Sequence, residues 1–381
     1  MNSRQRVLVT LQHQEPDRVP FDLGSTAVTG IHTRAYAALR AHLGLDPGDP
    51  TIAETTQQLA RVESDLANCL EVDAGGVAAF FRPAGVIDAG DELHFHDDYG
   101  IGWRMPKDGG LYFDLHEHPL AGEIDEADIN EFPWPVAPTT SEISAMRADV
   151  ERVRAGEGRA VVVESICSGM MEVAAWLRGF EDFYADVALN PSRVALLLDH
   201  ILERKLVYWD QFLGVLGDSV DVVKESDDLG SQRDLLISPE AYRRLLKPRQ
   251  RTLFDFIHAH TDARVMLHTC GAVRKLIPDL IEIGVDILNP VQVSAAGMET
   301  QALKREFGGD LVFWGGGVDT QHVLCHGSVS EVRDEVRRRL DDLMPGGGFV
   351  FSAVHNIQSD VPPANIVAMW ETVHEHGVYG S

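Results

Sequence analysis

The chain contains few cysteines and no long hydrophobic run. Four cysteines, Cys69, Cys167, Cys270 and Cys325, are too few and too widely spaced for a disulfide framework. No stretch approaches the roughly 18 consecutive apolar residues of a membrane-spanning helix. The N-terminal residues follow an amphipathic helical pattern without the apolar core of a signal peptide. We therefore expect a cytoplasmic protein with no membrane partner.

Basic residues are also scarce. The chain has 33 Lys and Arg against 59 Asp and Glu, which gives a formal net charge of −26. Such a surface repels phosphate backbones, so nucleic acid is excluded as an expected partner. The remaining composition is that of a globular protein, because 44% hydrophobic residues in 381 support a substantial core.

Eight short apolar runs of strand length alternate with segments of helical periodicity. They are Val19–Gly24, Gly75–Phe81, Ala160–Glu164, Val220–Glu225, Ala263–His268, Asp286–Val291, Leu311–Gly315 and Gly348–Val354. Continuous apolar runs indicate strands buried on both faces, and helices between them indicate parallel crossovers. The pattern predicts an α/β fold, a (β/α)₈ TIM barrel, with a doubly wound open sheet as the alternative.

Residues 91–123 interrupt this alternation. Strand-like pieces lie around Leu93–Phe95, Ile101–Arg104 and Leu111–Leu115, with turn residues between them. We interpret the segment as a β-hairpin insertion near the C-terminal rim of a single domain that spans residues 1–381. It would gate access to the barrel mouth, or, in the alternative interpretation, be the dimerisation arm of a homodimer or a plain surface excursion.

The residues His268-Thr269-Cys270 end the fifth apolar run. Alternate positions of a strand face the same side, and thiolate and imidazole are ligands that zinc prefers. The eighth run is followed by His355, which could bring a third ligand to the same rim. The alternative for the first pair is a buried cysteine beside a hydrogen-bonded histidine.

Polar residues close most of the other runs. They are Glu164, Glu225, Asp227, Asp228, Asn289, Gln292, Asp319 and Gln321. Catalytic groups of TIM barrels come from the C-terminal ends of the strands. Any one of these residues could equally be a cap or a loop hydrogen-bond partner, but the set predicts a polar funnel over one barrel mouth.

Several segments carry a family resemblance that extends from about Arg6 to Tyr379. They are residues 18–22 (RVPFD), 227–232 (DDLGSQ), 237–239 (ISP), 268–271 (HTCG), 284–292 (GVDILNPVQ), 315–321 (GGGVDTQ) and 345–348 (PGGG). Together they resemble the uroporphyrinogen decarboxylase-like superfamily. The resemblance implies a (β/α)₈ barrel with one of two chemistries, metal-free porphyrinogen decarboxylation or zinc-dependent methyl transfer to or from a corrinoid protein.

The N-terminal region separates the two branches. The decarboxylase branch carries there an arginine-rich signature that binds the substrate carboxylates, whereas residues 16–25 read PDRVPFDLGS and contain only Arg18. Without such a cluster, a substrate with many carboxylates would meet repulsion in this acidic chain. The sequence resembles the methyltransferase branch better, although that branch often has cysteine where this chain has His355.

The resemblance to the methyltransferase branch implies zinc ligands at His268 and Cys270 and a third ligand late in the chain, where His355 lies. The fourth position would be open or filled by a carboxylate, Glu164 or Glu225. The catalytic group comprises Asp227, Asp228 and Glu225, and the substrate-binding group comprises Asn289, Gln292, Asp319 and Gln321. The expected cofactors are zinc and a corrinoid (cobalamin) on a partner protein, and the small-molecule partner is a methyl donor or acceptor. The alternatives are a decarboxylase and a non-catalytic barrel that binds a tetrapyrrole or corrinoid partner.

Overall fold

The structure is a computed structural model and describes residues 1–77, 84–136 and 138–380. The strands are β1 (Ile52–Glu54), β2 (Leu59–Ala60), β3 (Ala74–Val77), β4 (Ala84–Asp88), β5 (Glu92–His96), β6 (Gly102–Pro106), β7 (Asp114–Glu117), β8 (Ala160–Glu164), β9 (Val222–Ser226), β10 (Arg264–His268), β11 (Ile287–Asn289), β12 (Val312–Trp314) and β13 (Phe349–Val350).

Helices fill most of the connections between these strands. They are α1 (Ser3–Thr10), α2 (Thr33–His42), α3 (Ser64–Cys69), α4 (Glu126–Asn130), α5 (Thr140–Ala145), α6 (Arg147–Glu151), α7 (Met170–Arg178), α8 (Phe180–Leu189), α9 (Pro191–Leu216), α10 (Pro239–Ala241), α11 (Lys247–His260), α12 (Ile277–Glu282), α13 (Thr300–Phe307), α14 (Val323–His326), α15 (Val329–Leu343) and α16 (Pro363–His376). Among the helices described, none has both the length and the apolar character needed to cross a membrane.

Seven parallel strands form the central sheet, in the order β13-β12-β11-β10-β9-β8-β3. Residues 20–22 connect its two edges. The backbone N–H of Asp22 donates to the carbonyl of Phe351, and the N–H of Asp73 donates to the carbonyl of Phe21, both at 2.8 Å. Phe21 and Phe351 form a parallel bridge. The sheet is thereby closed, which confirms the predicted α/β (β/α)₈ barrel.

The predicted strand bounds agree with the observed strands to different extents. Ala160–Glu164 coincides with β8, whereas Val19–Gly24 forms a single bridge because Pro20 has no N–H to donate. Gly75–Phe81 is described only as far as Val77, since its later residues lie outside the described part of the chain. The runs along β9 to β13 contain shorter strands than predicted.

The barrel interior is lined by alternate residues of the parallel strands. The apolar residues on this inward face are Ala74, Ala160, Val162, Val222, Met266, Ile287, Val312, Trp314 and Val350. Val7 of α1 and its C-cap residue Leu11 pack against them. The intervening positions pack outward against the helices in the larger core. Because side chains alternate along a strand, the same inward face continues at the C-terminal ends to Glu164, Lys224, His268 and Asn289.

Helix α1 covers the N-terminal end of the barrel. The guanidinium groups of Arg6 and Arg18 donate to opposite oxygens of Asp73, at 2.6 and 2.7 Å. Asp73 immediately precedes β3, so both arginines lie at the end of the barrel opposite the C-terminal strand ends. The one arginine of the region 16–25 is therefore committed to an ion pair away from the barrel mouth.

The insertion is a four-stranded antiparallel sheet, β4-β5-β6-β7, and not the hairpin that the sequence predicted. It begins at Ala84, ahead of the expected start at residue 91. The Tyr99 hydroxyl donates to Cys167 Sγ at 3.4 Å, and the Trp103 and Trp176 rings are 5.4 Å apart. Cys167 follows the C-terminal end of β8, so the sheet lies against the rim, as expected.

Candidate metal centre

Two strand ends bring His268, Cys270 and His355 together at the barrel mouth. Their potential ligand atoms all lie within 4.8 Å of one another. Cys270 Sγ is 3.4 Å from His268 Nε2, and the two imidazole centroids are 5.4 Å apart. His268 is buried, whereas Cys270 and His355 are half-buried. The three residues that the sequence selected as metal ligands thus form one cluster that opens toward the rim.

Asparagine amides determine which imidazole nitrogens face this cluster. His268 Nδ1 lies 2.6 Å from Asn289 Oδ1, while Asn289 Nδ2 donates to the carbonyl of Trp314 at 2.8 Å. His355 Nδ1 lies 2.9 Å from Asn356 Oδ1, and Asn356 Nδ2 donates to Gln57 Oε1 at 2.6 Å. Both amide oxygens are acceptors, so each Nδ1 carries the proton and each Nε2 keeps a free lone pair.

Burial keeps the imidazoles neutral. It lowers the pKa of His268 well below its ordinary value, and the neighbouring His355 and Lys224 lower it further. Burial also lowers the pKa of His355. In contrast, burial and the charges of Asp228 and Glu172 raise the pKa of Cys270 well above that of a free thiol. A bound cation would offset this effect, because it favours the thiolate that it binds.

The backbone around Cys270 is fixed from two sides. The N–H of Cys270 donates to Asp228 Oδ1 at 2.9 Å, and the N–H of Gly271 donates to Gln292 Oε1 at 2.6 Å. Gly271 has φ +90°, and a Cβ there would lie 2.3 Å from the carbonyl of Gly230. The glycine that follows the cysteine is therefore required by both backbone conformation and space.

Glu164, the expected fourth ligand, is engaged elsewhere. Its Oε1 accepts the N–H of Ala27 at 2.6 Å, and its Oε2 pairs with Lys224 Nζ at 2.9 Å. Within the described residues, no carboxylate joins the three ligand atoms at their mutual spacing. Glu164 and Lys224 line the inner face of the mouth as an ion pair, and the ligand role of Glu164 stays a prediction.

The three predicted catalytic carboxylates lie in different environments. Glu225 lies on the outer face of β9, where it accepts from Lys205 Nζ at 2.7 Å and Trp209 Nε1 at 2.6 Å. Asp227 is buried and accepts the N–H of Met171 at 2.8 Å, so it caps α7. Of the three, only Asp228 borders the cluster.

Asp228 lies 3.8 Å from His268 Nε2 and is partly exposed. A further carboxylate, Glu172, lies close enough to interact with it. Burial, together with the charge of Asp228, raises the pKa of Glu172 to about 7. One carboxyl group near the metal-ligand cluster, that of Glu172, therefore has a pKa close to neutral pH.

The residues assigned to substrate binding make hydrogen bonds within the protein. Asn289 orients His268, and Gln292 holds the loop at Gly271. Asp319 accepts the N–H of Gln321 at 2.8 Å, and Gln321 Oε1 accepts from Gln232 at 2.9 Å in an exposed rim loop. Contacts of these four residues with a substrate stay a prediction.

Three residues near the cluster were missed in the sequence. Lys224 faces inward because it shares the parity of Val222, but both faces of β9 are buried, so the sequence pattern does not show which parity faces inward. Asn356 directly follows His355, but nothing in the sequence shows that it accepts from that histidine. Glu172 lies on α7, and its proximity to Asp228 depends on the three-dimensional arrangement of two separate strand ends.

The donor set fits zinc. Two neutral imidazole nitrogens and one cysteine sulfur, each from a residue fixed by hydrogen bonds, match the three protein ligands of a catalytic zinc site with one open position. The open side faces the rim, since Cys270 and His355 are both partly accessible.

Known proteins share both sequence and fold with this chain. The uroporphyrinogen decarboxylase of Alkalilimnicola ehrlichii is 25% identical over 97% of this chain and 93% of its own length. That of Pseudomonas syringae pv. tomato is 25% identical over 70% of this chain and 73% of its own. A methyltransferase from Methanosarcina mazei superposes with a TM-score of 0.65 at 18% identity, over 98% of this chain and 99% of that one.

A family profile covers most of the chain. Residues 95–376 match the profile of the family described as "Uroporphyrinogen decarboxylase (URO-D)". The match begins within β5 and includes all barrel strands from β8 to β13. With a match of this extent, the chain belongs to the uroporphyrinogen decarboxylase (URO-D) family.

Proposed function

We propose that this protein is a zinc-dependent methyltransferase that moves a methyl group between a small molecule and a corrinoid carried by a partner protein. The observation that carries the proposal is the His268, Cys270 and His355 cluster. Two neutral imidazoles beside a thiol are a donor set suited to zinc, and their three ligand atoms converge within 4.8 Å of one another.

The residues around the cluster have separate tasks. When bound, zinc would supply Lewis acidity toward the heteroatom that carries or receives the methyl group. His268, Cys270 and His355 would hold it, while Asn289 and Asn356 keep the imidazoles in the ligating tautomer. Asp228, 3.8 Å from His268 Nε2, would accept or return a proton at the substrate heteroatom.

Access to the cluster comes from the rim. Cys270 and His355 are partly exposed there, and the insertion sheet contacts the same rim through Tyr99. A corrinoid on a partner protein would approach from this side, because α1 and the Arg6 and Arg18 ion pairs cover the opposite end of the barrel. The insertion would then enclose the small molecule and exclude water.

Decarboxylation of a porphyrinogen is the alternative, and the names of the relatives favour it. Against it stands the position of Arg18, whose guanidinium pairs with Asp73 at the far end of the barrel. A substrate with several carboxylates needs positively charged groups that pair with them. Lys224, which does face the mouth, is already paired with Glu164.

A methyl-transfer assay separates these functions. We would follow the visible spectrum of cobalamin anaerobically, testing cob(I)alamin with methoxylated and methylamine donors and methylcob(III)alamin with thiol acceptors. Chelator-treated protein, zinc-restored protein and Cys270→Ser would be compared, with Cys69→Ser as the control outside the cluster. The proposal predicts transfer only in the zinc-restored wild type and Cys69→Ser. Metal-independent turnover of uroporphyrinogen to coproporphyrinogen would contradict it.

A further inference from the structure

A second group of metal-ligand side chains lies outside the barrel mouth. The thiol of Cys325, the imidazole of His326 and the carboxylate of Asp360 have potential ligand atoms within 4.8 Å of one another. Cys325 is half-buried, whereas His326 and Asp360 are exposed. None of the three belongs to the His268, Cys270 and His355 cluster.

Two separate elements hold this group in place. Cys325 and His326 end the short helix α14, and Asp360 lies three residues before the start of α16. The buried side chain of Asn365, on the first turns of α16, donates to the carbonyls of Leu324 and Gly327 at 3.0 and 2.9 Å. These bonds fix the backbone on both sides of Cys325 relative to α16, so the three side chains converge without further folding.

We propose that Cys325, His326 and Asp360 form a second divalent-metal site, with zinc as the preferred ion. A thiolate, an imidazole and a carboxylate are the three side-chain types that zinc binds, and softer sulfur ligation disfavours magnesium and calcium. Solvent supplies the fourth ligand, because His326 and Asp360 are open to water. The site takes no part in the proposed methyl transfer, so its test reads metal binding alone.

The thiol is protonated before the metal binds. Cys325 Sγ donates its hydrogen to the carbonyl of Gln321 at 3.1 Å. Burial, together with the charges of Asp360 and Asp319, raises the pKa of Cys325 above its ordinary value. Metal binding breaks the S–H bond, forms the metal–sulfur bond and releases one proton to solvent, with no change in oxidation state.

The position of Asp360 links this site to the barrel mouth. Residues 355–360 carry His355 at one end and Asp360 at the other. Within this segment Gln358 Nε2 donates to Asn356 Oδ1, the same oxygen that receives the His355 proton. The two candidate sites thus lie at opposite ends of one six-residue segment.

Cobalt titration distinguishes the two sites, because each contains one cysteine. Protein freed of metal by a chelator would be titrated with Co²⁺, and the thiolate-to-cobalt charge-transfer band recorded for wild type, Cys270→Ser, Cys325→Ser and the double variant. We expect two equivalents with thiolate bands in wild type, one in each single variant and no band in the double variant. Cys69→Ser, outside both clusters, should match wild type.

Variants at the two exposed ligands, His326 and Asp360, test the second site without the risk that a core substitution disrupts folding. In the Cys270→Ser background, His326→Ala and Asp360→Asn should each weaken cobalt binding by about tenfold or more, because each removes a ligand at the surface without disturbing the core. Cobalt binding to Cys270→Ser that lacks a thiolate band, or that is unchanged by both substitutions, would overturn the second site. Neither result would bear on methyl transfer.

Discussion

Two amide side chains determine which nitrogen of each histidine faces the candidate metal centre. Asn289 ends β11 and Asn356 lies in the segment after β13, yet each accepts the Nδ1 proton of one histidine. The two Nε2 lone pairs are thus fixed before any ligand binds, and the cost of orienting them is met during folding. Loss of either amide would leave the histidine side chain in place but free to change its tautomer.

Asn289→Ala should lower the zinc affinity by about 10- to 100-fold, since partners of this kind typically contribute that much. Competition with a chromophoric zinc chelator measures the change. Asn130→Ala is a matched control, because Asn130 also bonds a histidine, His200, at 3.1 Å, but on an exposed surface. Equal affinities of Asn289→Ala and wild type would show that the amide does not prepare His268 for a metal.

Asp22 gives a pH-dependent contribution to stability. Its carboxylate accepts from the Ser25 hydroxyl at 2.7 Å and the Trp314 indole at 2.9 Å, yet burial raises its pKa to about 6. An unfolded aspartate has a pKa of about 3.9. The folded state therefore holds this proton more tightly, and the stabilisation is fully present below about pH 4 and lost as the pH rises through 6.

The free energy of unfolding of wild type, relative to Asp22→Asn, should consequently fall by up to about 3 kcal/mol between pH 4 and pH 7. Urea unfolding of both proteins across this range measures the difference. Because all other titrating groups are shared, they cancel in the comparison. A difference that stays constant with pH, or that grows toward pH 7, would rule out a raised pKa at Asp22.

Residue type predicted which three side chains converge at the barrel mouth better than it predicted the positions of the surrounding carboxylates. His268, Cys270 and His355 could be selected because few structural roles call for that combination near strand ends. The sequence predicts a catalytic role for Glu225, whereas in the structure its neighbour Lys224 faces the barrel interior. Strand parity distinguishes the two, and in a strand buried on both faces the hydrophobic pattern does not reveal that parity.

Among the elements, β9 and α9 are joined by a buried ion pair. Lys205 Nζ on α9 lies 2.7 Å from Glu225 Oε2 on β9, and both side chains are almost completely buried. Ser165 and Trp209 also donate to Glu225, at 2.9 and 2.6 Å. The carboxylate has its hydrogen-bond partners in the layer between barrel and helices, which explains its burial without a catalytic role.

Lys205→Met should lower the free energy of unfolding by about 3–5 kcal/mol, because it leaves the Glu225 charge buried and unpaired. Lys205→Met combined with Glu225→Gln should recover most of that loss. Denaturant unfolding measures the stability, and zinc content of the folded double variant should equal that of wild type. A stable Glu225→Gln variant that has lost zinc or methyl transfer would instead support the predicted catalytic role of Glu225.

The sequence predicts the bounds of a strand well when both of its faces are buried. It predicts them poorly when the bounds depend on pairing with a strand elsewhere in the chain. Ala160–Glu164 is buried on both sides, and its apolar run coincides with β8. Residues 20–22 close the barrel with only one bridge, since Pro20 limits the ladder. The insertion contains one strand, β4, that the sequence did not predict. Asp88 and Ile87 of β4 pair in antiparallel fashion with Leu93 and His94 of β5, and the turn residues alone do not indicate this pairing.

In the whole molecule, the ion pairs that stabilise the barrel and the candidate metal centre lie at opposite ends of the barrel. At the N-terminal end, Arg4 and Arg6 of α1 pair with Asp221 and Asp73, which precede their strands. At the C-terminal end, the strand ends bring the histidines and Cys270 to one opening. Family membership and fold agree with this polarity, since TIM-barrel active sites lie at the C-terminal face.

Zinc K-edge X-ray absorption tests the central claim most directly. The Cys325→Ser variant, loaded with one equivalent of zinc, removes the second thiol from the measurement. We predict one sulfur at about 2.3 Å and two imidazole nitrogens at about 2.0–2.1 Å, with one further light ligand. A shell made only of oxygen and nitrogen would contradict a metal centre built from His268, Cys270 and His355.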